Sequence, residues 1–340
     1  MIVHHVSVVI CTYNRAALLR ETLAALQELD PPHDCAVEIL VVDNNSTDDT
    51  PRVIGDACAA GPFPVRALHE PAQGKSFALN TALGAARGDV LALTDDDVRP
   101  ARDWLCRIVE VFRARDVTFT FGKVLPRWSV TPPPELLTRP AQDIWGPLAL
   151  IDYGDEPADY RADLTGQRLP IGANLAFART AIEAVGGWRT DLGRVDNTLT
   201  SGEDHEIFCR LRRFGLYAGY YDPGSSVRHY VPPGRLTRTY FRQWFFWSGR
   251  THALMLQDVY SDIDMTRVAR IGGMPRFLWR QAFEQWGRWL RSLRVGAPAL
   301  ETLTEELRSL QFLGLIAGCW RLRHLRRATA GSPPAVTAGG

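Results

Sequence analysis

Three consecutive carboxylates, Asp95, Asp96 and Asp97, come directly after the apolar run Val90-Leu91-Ala92-Leu93 and Thr94. Adjacent acids repel each other and need a counter-charge. A divalent cation with oxygen ligands supplies one and can bridge to a phosphate. A short apolar run that stops so abruptly reads as a buried parallel strand. The acids then sit at its C-terminal end, the edge where open α/β sheets bind ligands. The competing reading is an acidic turn capping the helix after Pro100. Two later features bear on this choice. Gly202-Glu203-Asp204-His205-Glu206 opens a helix with Ile207, Phe208, Leu211 and Phe214 as its apolar stripe, where the acids favour the helix N-terminus electrostatically. His229 comes after the apolar-led Ser226-Val227-Arg228. Its neutral imidazole suits a metal shell or a diphosphate, and equally a structural role.

The elements that position these residues alternate. Strands are expected over 6–12, 37–42, 65–68, 90–94 and 117–124. Helices are expected over 16–29, 48–59, 76–87 and 104–115, the first closed by Pro31-Pro32. Such alternation argues a doubly wound, mostly parallel sheet. Its polar clusters fall on strand ends: Thr12-Tyr13-Asn14, Asp43-Asn44-Asn45-Ser46 and Asp95-Asp96-Asp97. A right-handed doubly wound sheet gathers such ends on one edge. Gly74-Lys75-Ser76 imitates a nucleotide-binding P-loop, but that loop needs Gly where His69 stands. Glu70 would repel phosphate and Pro71 lacks a donor.

Composition sets the outer bounds. The chain has 340 residues, 46% hydrophobic and 23% charged, with a formal net charge of +1. This is ordinary for a globular protein with an ample core and excludes a nucleic-acid binder that works by overall charge. The charge is uneven: residues 266–327 hold twelve Arg and four Glu, a net +8, leaving about −7 elsewhere. Six scattered cysteines without a Cys-x-x-Cys pair favour reduced thiols over disulfides or zinc. No signal peptide is expected ahead of the first strand, and no apolar stretch reaches membrane-spanning length.

The ordered set of motifs resembles the family 2 glycosyltransferases of the GT-A fold. It comprises Val6-Ser7-Val8-Val9-Ile10-Cys11-Thr12-Tyr13-Asn14-Arg15, Val41-Val42-Asp43-Asn44-Asn45-Ser46-Thr47-Asp48 and Gly74-Lys75-Ser76-Phe77-Ala78-Leu79-Asn80. It continues through Asp95-Asp96-Asp97, Gly172-Ala173-Asn174-Leu175-Ala176-Phe177 and Gly202-Glu203-Asp204. The resemblance implies an α/β, Rossmann-like GT-A sheet flanked by helices, a nucleotide-sugar donor, and Mn²⁺ or Mg²⁺. It places Tyr13 near the base, Asp43 on the base edge, Asp95 near ribose and metal, and Asp97 on the metal, with His229 a further metal candidate. Thr12, Asn14, Arg15, Asn45, Lys75, Asn80, Asp96 and Asn174 complete the expected donor-binding set. The Glu203-Asp204 pair supplies the base that deprotonates an acceptor hydroxyl, with Asp204 the better match and Glu203 its rival. One displacement from the face opposite the diphosphate inverts the anomeric centre. Two departures stand out: many relatives have Asp at Asn44 and Arg at Leu79, and Lys75 is a candidate for that positive charge.

Residues 126–170 are expected to be irregular and acceptor-facing, since Pro132-Pro133-Pro134 forbids helix or central strand. A strand is expected over 172–178, with Gly172 allowing close approach to a ligand. Arg235 and Arg238 are further phosphate candidates. A helix over 240–256 carries Gln243-Trp244-Phe245-Phe246-Trp247, which resembles the Gln-x-x-Arg-Trp of processive polysaccharide synthases. Phe246 replaces its Arg, so a non-processive enzyme is expected. Residues 277–293 read as amphipathic, with Trp279, Phe283, Trp286, Leu290 and Leu293 on one side and arginines around them. This suits an anionic membrane surface, a face packed on the catalytic domain, or a dimer contact. The expected organisation is a catalytic domain over 1–235, a helical basic and aromatic extension over 236–327 (the membrane candidate being 271–327), and a disordered tail over 328–340. The expected function is inverting, metal-dependent transfer of one sugar from a UDP-sugar to a carbohydrate or lipid-linked acceptor, in the cytoplasm or on the inner membrane face. The alternatives are a non-catalytic nucleotide-sugar-binding protein and a sugar-phosphate nucleotidyltransferase. The latter would want a glycine-rich basic loop after the first strand, which Thr12-Tyr13-Asn14-Arg15 is not.

Overall fold

A strand apolar at every position has no solvent face, so it belongs in the middle of a covered sheet. In the computed structural model, which describes residues 1–59, 61–160, 169–193, 199 and 202–330 with side chains through 324, strands close to that ideal lie inside the sheet and a half-exposed one forms its edge. β1 (His5–Thr12), β2 (Ala36–Asp43), β3 (Val65–His69) and β4 (Val90–Asp95) pair in parallel in the order β3-β2-β1-β4. The crossovers are α1 (Ala16–Gln27), α2 (Thr50–Cys58) and α3 (Lys75–Ala85). Beyond β4 come β5 (Val98–Pro100), α4 (Trp104–Ala114), β6 (Phe119–Phe121), β7 (Val124–Trp128), β8 (Ala158–Tyr160), β9 (Leu175–Ala178) and α5 (Arg179–Ala184). α6 (Glu203–Arg213), β10 (Gly219–Tyr221) and β11 (Val227–Val231) complete this part of the chain.

The second half of the sheet departs from simple alternation. β9 lies between β4 and β6 and runs antiparallel to both, β10 pairs in parallel with β6, and β8 closes the edge antiparallel. The single strand expected over 117–124 is two. They part at Gly122, where a Cβ would lie 1.6 Å from the Ser225 carbonyl oxygen. Only glycine lets the backbones cross so closely, and the crossing sends β7 into a second sheet, β5-β11-β7. The strand expected over 172–178 opens instead as a 3-10 turn, Gly172–Asn174, before β9 begins. Residues 126–128, expected to be irregular, pair with β11, and the chain from Pro134 to Leu148 runs mostly through short 3-10 turns. Ile10, Ile39, Leu40 and Leu91 of the strands pack with Leu19, Leu26, Trp104, Phe112, Phe177 and Phe208 in the fully buried core. Each such side chain contributes about 1.5–3 kcal/mol by leaving water.

The chain divides into two compact units, 1–241 and 242–340. The second is helical. α7 (Arg238–Leu254) leads into it, and α8 (Leu256–Val259), the short hairpin β12 (Arg270–Ile271) and β13 (Met274–Pro275), α9 (Arg276–Arg294) and α10 (Ala299–Ala330) come after. The helix expected to end at 256 ends two residues sooner, and α10 carries three residues into the segment expected to be a tail. Residues 331–340 of that segment lie outside the described residues. Glycines bring α7 and α10 into backbone contact. A Cβ on Gly249 would meet the Gln311 oxygen at 1.9 Å, and one on Gly314 the Phe246 oxygen at 1.9 Å. Ala253, Leu256, Met265, Met274, Leu278, Leu315 and Cys319 form the unit's buried cluster. Among the described residues no helix is long and apolar enough to cross a membrane.

Candidate active site

The strand register assembles the site before any side chain is considered. Thr12 lies opposite Asp43 and Cys11 opposite Asp95, so the ends of β1, β2 and β4 come level at one edge. Asp96 and Asp97 leave β4 there and are buried, at 6% and 2% exposure. Burial of two adjacent carboxylates demands compensation. Thr12 Oγ1 donates to Asp96 Oδ2 at 2.8 Å, and Arg15 Nη1 lies 3.2 Å from Asp96 Oδ1 and 2.5 Å from Asp97 Oδ2. Burial pushes the Asp96 carboxyl well above the usual carboxylate range, with Arg15 opposing. Burial pushes Asp97 the same way, but His229, Arg15 and Arg235 overcome it and hold that group below the usual range. The pair thus holds one carboxylate firmly ionised beside one inclined to keep its proton.

His229 reaches Asp97 through the second sheet. β11 pairs antiparallel with β5, His229 opposite Val98, and Tyr230 N donates to the Asp97 carbonyl at 3.0 Å. The imidazole is buried with Nε2 3.3 Å from Asp97 Oδ1. Asp95, Asp97 and His229 can each offer a ligand atom within 4.8 Å of the others. Asp97 Oδ1 and His229 Nδ1 have no hydrogen-bond partner among the described residues. Asp97 Oδ1 has only the 3.3 Å approach of His229 Nε2, and a buried polar atom so incompletely paired is costly unless something completes it. Two carboxylates and one imidazole are a donor set that fits Mn²⁺ or Mg²⁺.

The acids of α6 form the other half. The helix starts after Gly202, whose φ of +107° suits glycine, and its first turn carries Glu203 and Asp204. Gly172 N donates to Asp204 Oδ2 at 2.9 Å. A Cβ on Gly172 would lie 3.2 Å from Asp204 Oδ1 and 3.3 Å from Lys75 Nζ. Gly172 thus lets the backbone come close to this acid and this lysine. Asp204 Oδ1 and Glu203 Oε2 are buried without hydrogen-bond partners among the described residues. Burial raises both carboxyls; Asp204 raises Glu203 further, and Lys75 opposes the rise in each. Lys75, at the start of α3, lies 3.1 Å from Asp95 Oδ1. Burial opposes its charge, but Asp95, Asp204 and Glu203 hold its pKa well above the ordinary lysine value. One ammonium thus serves the β4 acids and the α6 acids together.

The remaining expected residues divide. Tyr13 stands 46% exposed at the same edge, and Asp43 Oδ1 accepts from Ser46 N at 3.0 Å. Four asparagine side chains spend their polar atoms on the protein itself. Asn14, at φ +52°, accepts from Thr47 N and Asp48 N, and Asn45 donates to the Pro71 carbonyl. Asn80 grips Trp188, donating to its carbonyl and accepting from its N–H, both at 2.8 Å. Asn174 accepts from Trp104 Nε1 and donates to the Lys123 and Ser225 carbonyls. Asn44 is the departure that the structure explains. Its amide donates to the Glu70 and Ala72 carbonyls and its oxygen accepts from Gly74 N, bracing the loop before Lys75. An aspartate there would set a carboxylate against two carbonyl oxygens. The Arg15 clamp, the Lys75 bridge and the Trp104–Asn174 bond lie beyond sequence reasoning. Their partners stand 82, 20 and 70 positions away, and no local pattern announces them.

A mostly parallel sheet with acids at its strand-end edge, an antiparallel β9 inserted beside β4 and a second carboxylate pair on α6 define a GT-A glycosyltransferase architecture. The family model for glycosyl transferase family 2 matches residues 7–185, and the chain belongs to that family. It is therefore an enzyme of glycosyl transfer, which sets aside the nucleotidyltransferase and the non-catalytic binder. The succinoglycan biosynthesis protein ExoM of Rhizobium meliloti is 26% identical over 255 residues, covering 75% of this chain and 76% of that protein. A beta-monoglucosyldiacylglycerol synthase of Synechocystis is 30% identical over 217 residues, 62% of this chain but 41% of that longer protein. In structure, the mannosyltransferase PcManGT of Pyrobaculum calidifontis, solved with GDP-Man and Mn²⁺, aligns at a TM-score of 0.55 and 21% identity over 98% of this chain and 77% of its own. GalNAc-T7, solved with UDP, GalNAc and Mn²⁺, aligns at 0.52 and 16% identity over 75% of this chain and 51% of its own. These likenesses bear on the fold.

Proposed function

We propose that this enzyme moves one sugar from a nucleoside-diphosphate donor, UDP being the first choice, to an acceptor hydroxyl with inversion, in polysaccharide or glycolipid assembly. The observation that carries the reading is the pair of acid groups joined through Lys75: Asp95 and Asp97 with His229 on one side, Glu203 and Asp204 on the other. In this reading Asp95, Asp97 and His229 hold Mn²⁺ or Mg²⁺, which when bound neutralises charge gathering on the leaving diphosphate. Tyr13 and Asp43 take the nucleoside. Lys75 offers a second positive charge near that diphosphate and keeps the α6 acids from both being neutral. Asp204, fixed by Gly172 N and with Oδ1 free among the described residues, accepts the proton of the attacking hydroxyl. That hydroxyl displaces the diphosphate in one step from the opposite face of the sugar, so the anomeric centre inverts. A lipid-linked acceptor would bring the enzyme to the inner membrane face.

A panel of UDP-, GDP- and dTDP-sugars with Mn²⁺ tests this. One donor should show slow hydrolysis or transfer with release of its nucleoside diphosphate, abolished by EDTA and restored by Mn²⁺. Turnover unchanged in EDTA would refute the metal assignment, and retention at the anomeric carbon of the product would refute the single displacement.

A further inference from the structure

A helix that packs by one face should be polar on the other. α9 is not. Its inward face, Leu278, Ala282, Gln285 and Ser292, is buried, and Gln285 donates to the Glu305 carbonyl and carboxylate of α10. A second apolar stripe points away from that contact. Phe283, Leu290 and Leu293 are 62%, 51% and 54% exposed, at spacings of seven and three residues that place them on one side. Trp279 and Trp286 flank Phe283 with ring centroids 5.9 and 5.5 Å away. Their indole N–H groups are already bonded within the unit, to the Ile271 and Ser309 carbonyls. The two indoles therefore form a fixed shelf under Phe283.

Beside the stripe run Arg276, Arg280, Arg291 and Arg294, all exposed, against the one acid Glu284, which lies 3.7 Å from Arg280. We propose that this outward face of α9 docks on an anionic lipid surface, with Phe283, Leu290 and Leu293 entering the acyl boundary and the four arginines meeting lipid phosphates. Charge selects this occupant. An apolar stripe edged by four cations and one anion complements an anionic bilayer. A second copy laid antiparallel about a two-fold axis would bring its arginine row against this one. The inference rests on the proposed function only for its purpose, delivery to a lipid-linked acceptor. Docking itself is measured without turnover.

The test is co-sedimentation of the full chain with vesicles of phosphatidylcholine alone and of an equal mixture with phosphatidylglycerol. Binding is expected to the mixed vesicles and to weaken with salt. Arg280→Gln and Arg291→Gln should each weaken it about fivefold, and the Phe283→Ser/Leu290→Ser pair about tenfold or more. All these positions are exposed, so melting temperature and donor hydrolysis in solution should match the parent. Absence of sedimentation with the mixed vesicles overturns the proposal, as does sedimentation that these variants leave unchanged. So does a parental dimer that the Phe283→Ser/Leu290→Ser pair converts to a monomer without loss of lipid binding. Donor hydrolysis reports on the catalytic reading separately, so the two fail independently.

Discussion

Two groups of buried acids lie at opposite ends of the same sheet, and they are built differently. Glu38, near the start of β2, is 3% exposed and fully occupied. Ser7 Oγ donates to it at 2.7 Å, Arg87 N at 2.8 Å, and Arg66 Nη1 at 2.6 Å. Burial alone would raise its pKa, but Arg66, Ser7 and Arg87 together lower it. Glu203 is buried and Asp204 half-buried, yet each keeps a buried oxygen without a partner among the described residues, and burial raises both. The first group stabilises the fold in its ionised form. The second carries uncompensated charge, and under the proposed mechanism a carboxylate short of partners, with its pKa raised, suits a base. Burial of an acid does not by itself mark a site; burial with an unfilled valence does.

The contrast can be broken by mutation. Asp204→Asn should lower kcat/KM on the order of 10²–10⁴-fold, while the melting temperature holds or rises, because a costly buried charge is gone. A variant that kept full transfer would remove Asp204 as the base. Next in size is the pH dependence. The base works deprotonated and its pKa is raised, so kcat/KM should fall on the acid side at a pH above the ordinary carboxylate range. Lys75 opposes that rise, so Lys75→Gln should move the limb further up; a limb at the ordinary aspartate value would contradict the environment described. Stability should show the opposite sign at the two ends. Glu38, with its pKa lowered on folding, contributes stability that is present above its unfolded value and lost as pH falls through the folded one. Glu203, with its pKa raised, costs stability as pH rises from the unfolded value through the folded one. Smallest is Glu38→Gln, expected to cost about 1–2 kcal/mol and to lower the melting temperature by several degrees while kcat/KM stays at the parental level. Thermal melts with parallel kinetics separate the two ends; a Glu38 variant that lost activity at full stability would erase the distinction.

Much of this was legible from residue order. β1, β2 and β4 are apolar runs ending in polar clusters, so their existence, direction and shared edge derive from composition and the right-handed crossover. Asp95 and Asp97 stand out because they break off an apolar run, whereas Asp204 lies in a polar stretch and was singled out by the motif order. The continuous strand over 117–124 was not legible as two, because its break depends on Ser225, a hundred positions on, meeting Gly122. The stripe on α9 was visible as an amphipathic repeat, but which way it faces was not, since a periodicity names a face and not its neighbour.

Local apolar period and motif order suffice for an α/β family 2 glycosyltransferase with acids at its strand ends and a basic, aromatic C-terminal segment. Tertiary structure alone decided that Arg15 grips Asp96 and Asp97, that His229 completes their cluster from a second sheet, and that Lys75 links Asp95 to Asp204. It also turned Asn44, Asn80 and Asn174 inward as braces. Coulomb energies and hydrogen bonds depend on separations of a few ångströms between residues far apart in the chain, and only the folded backbone sets those distances.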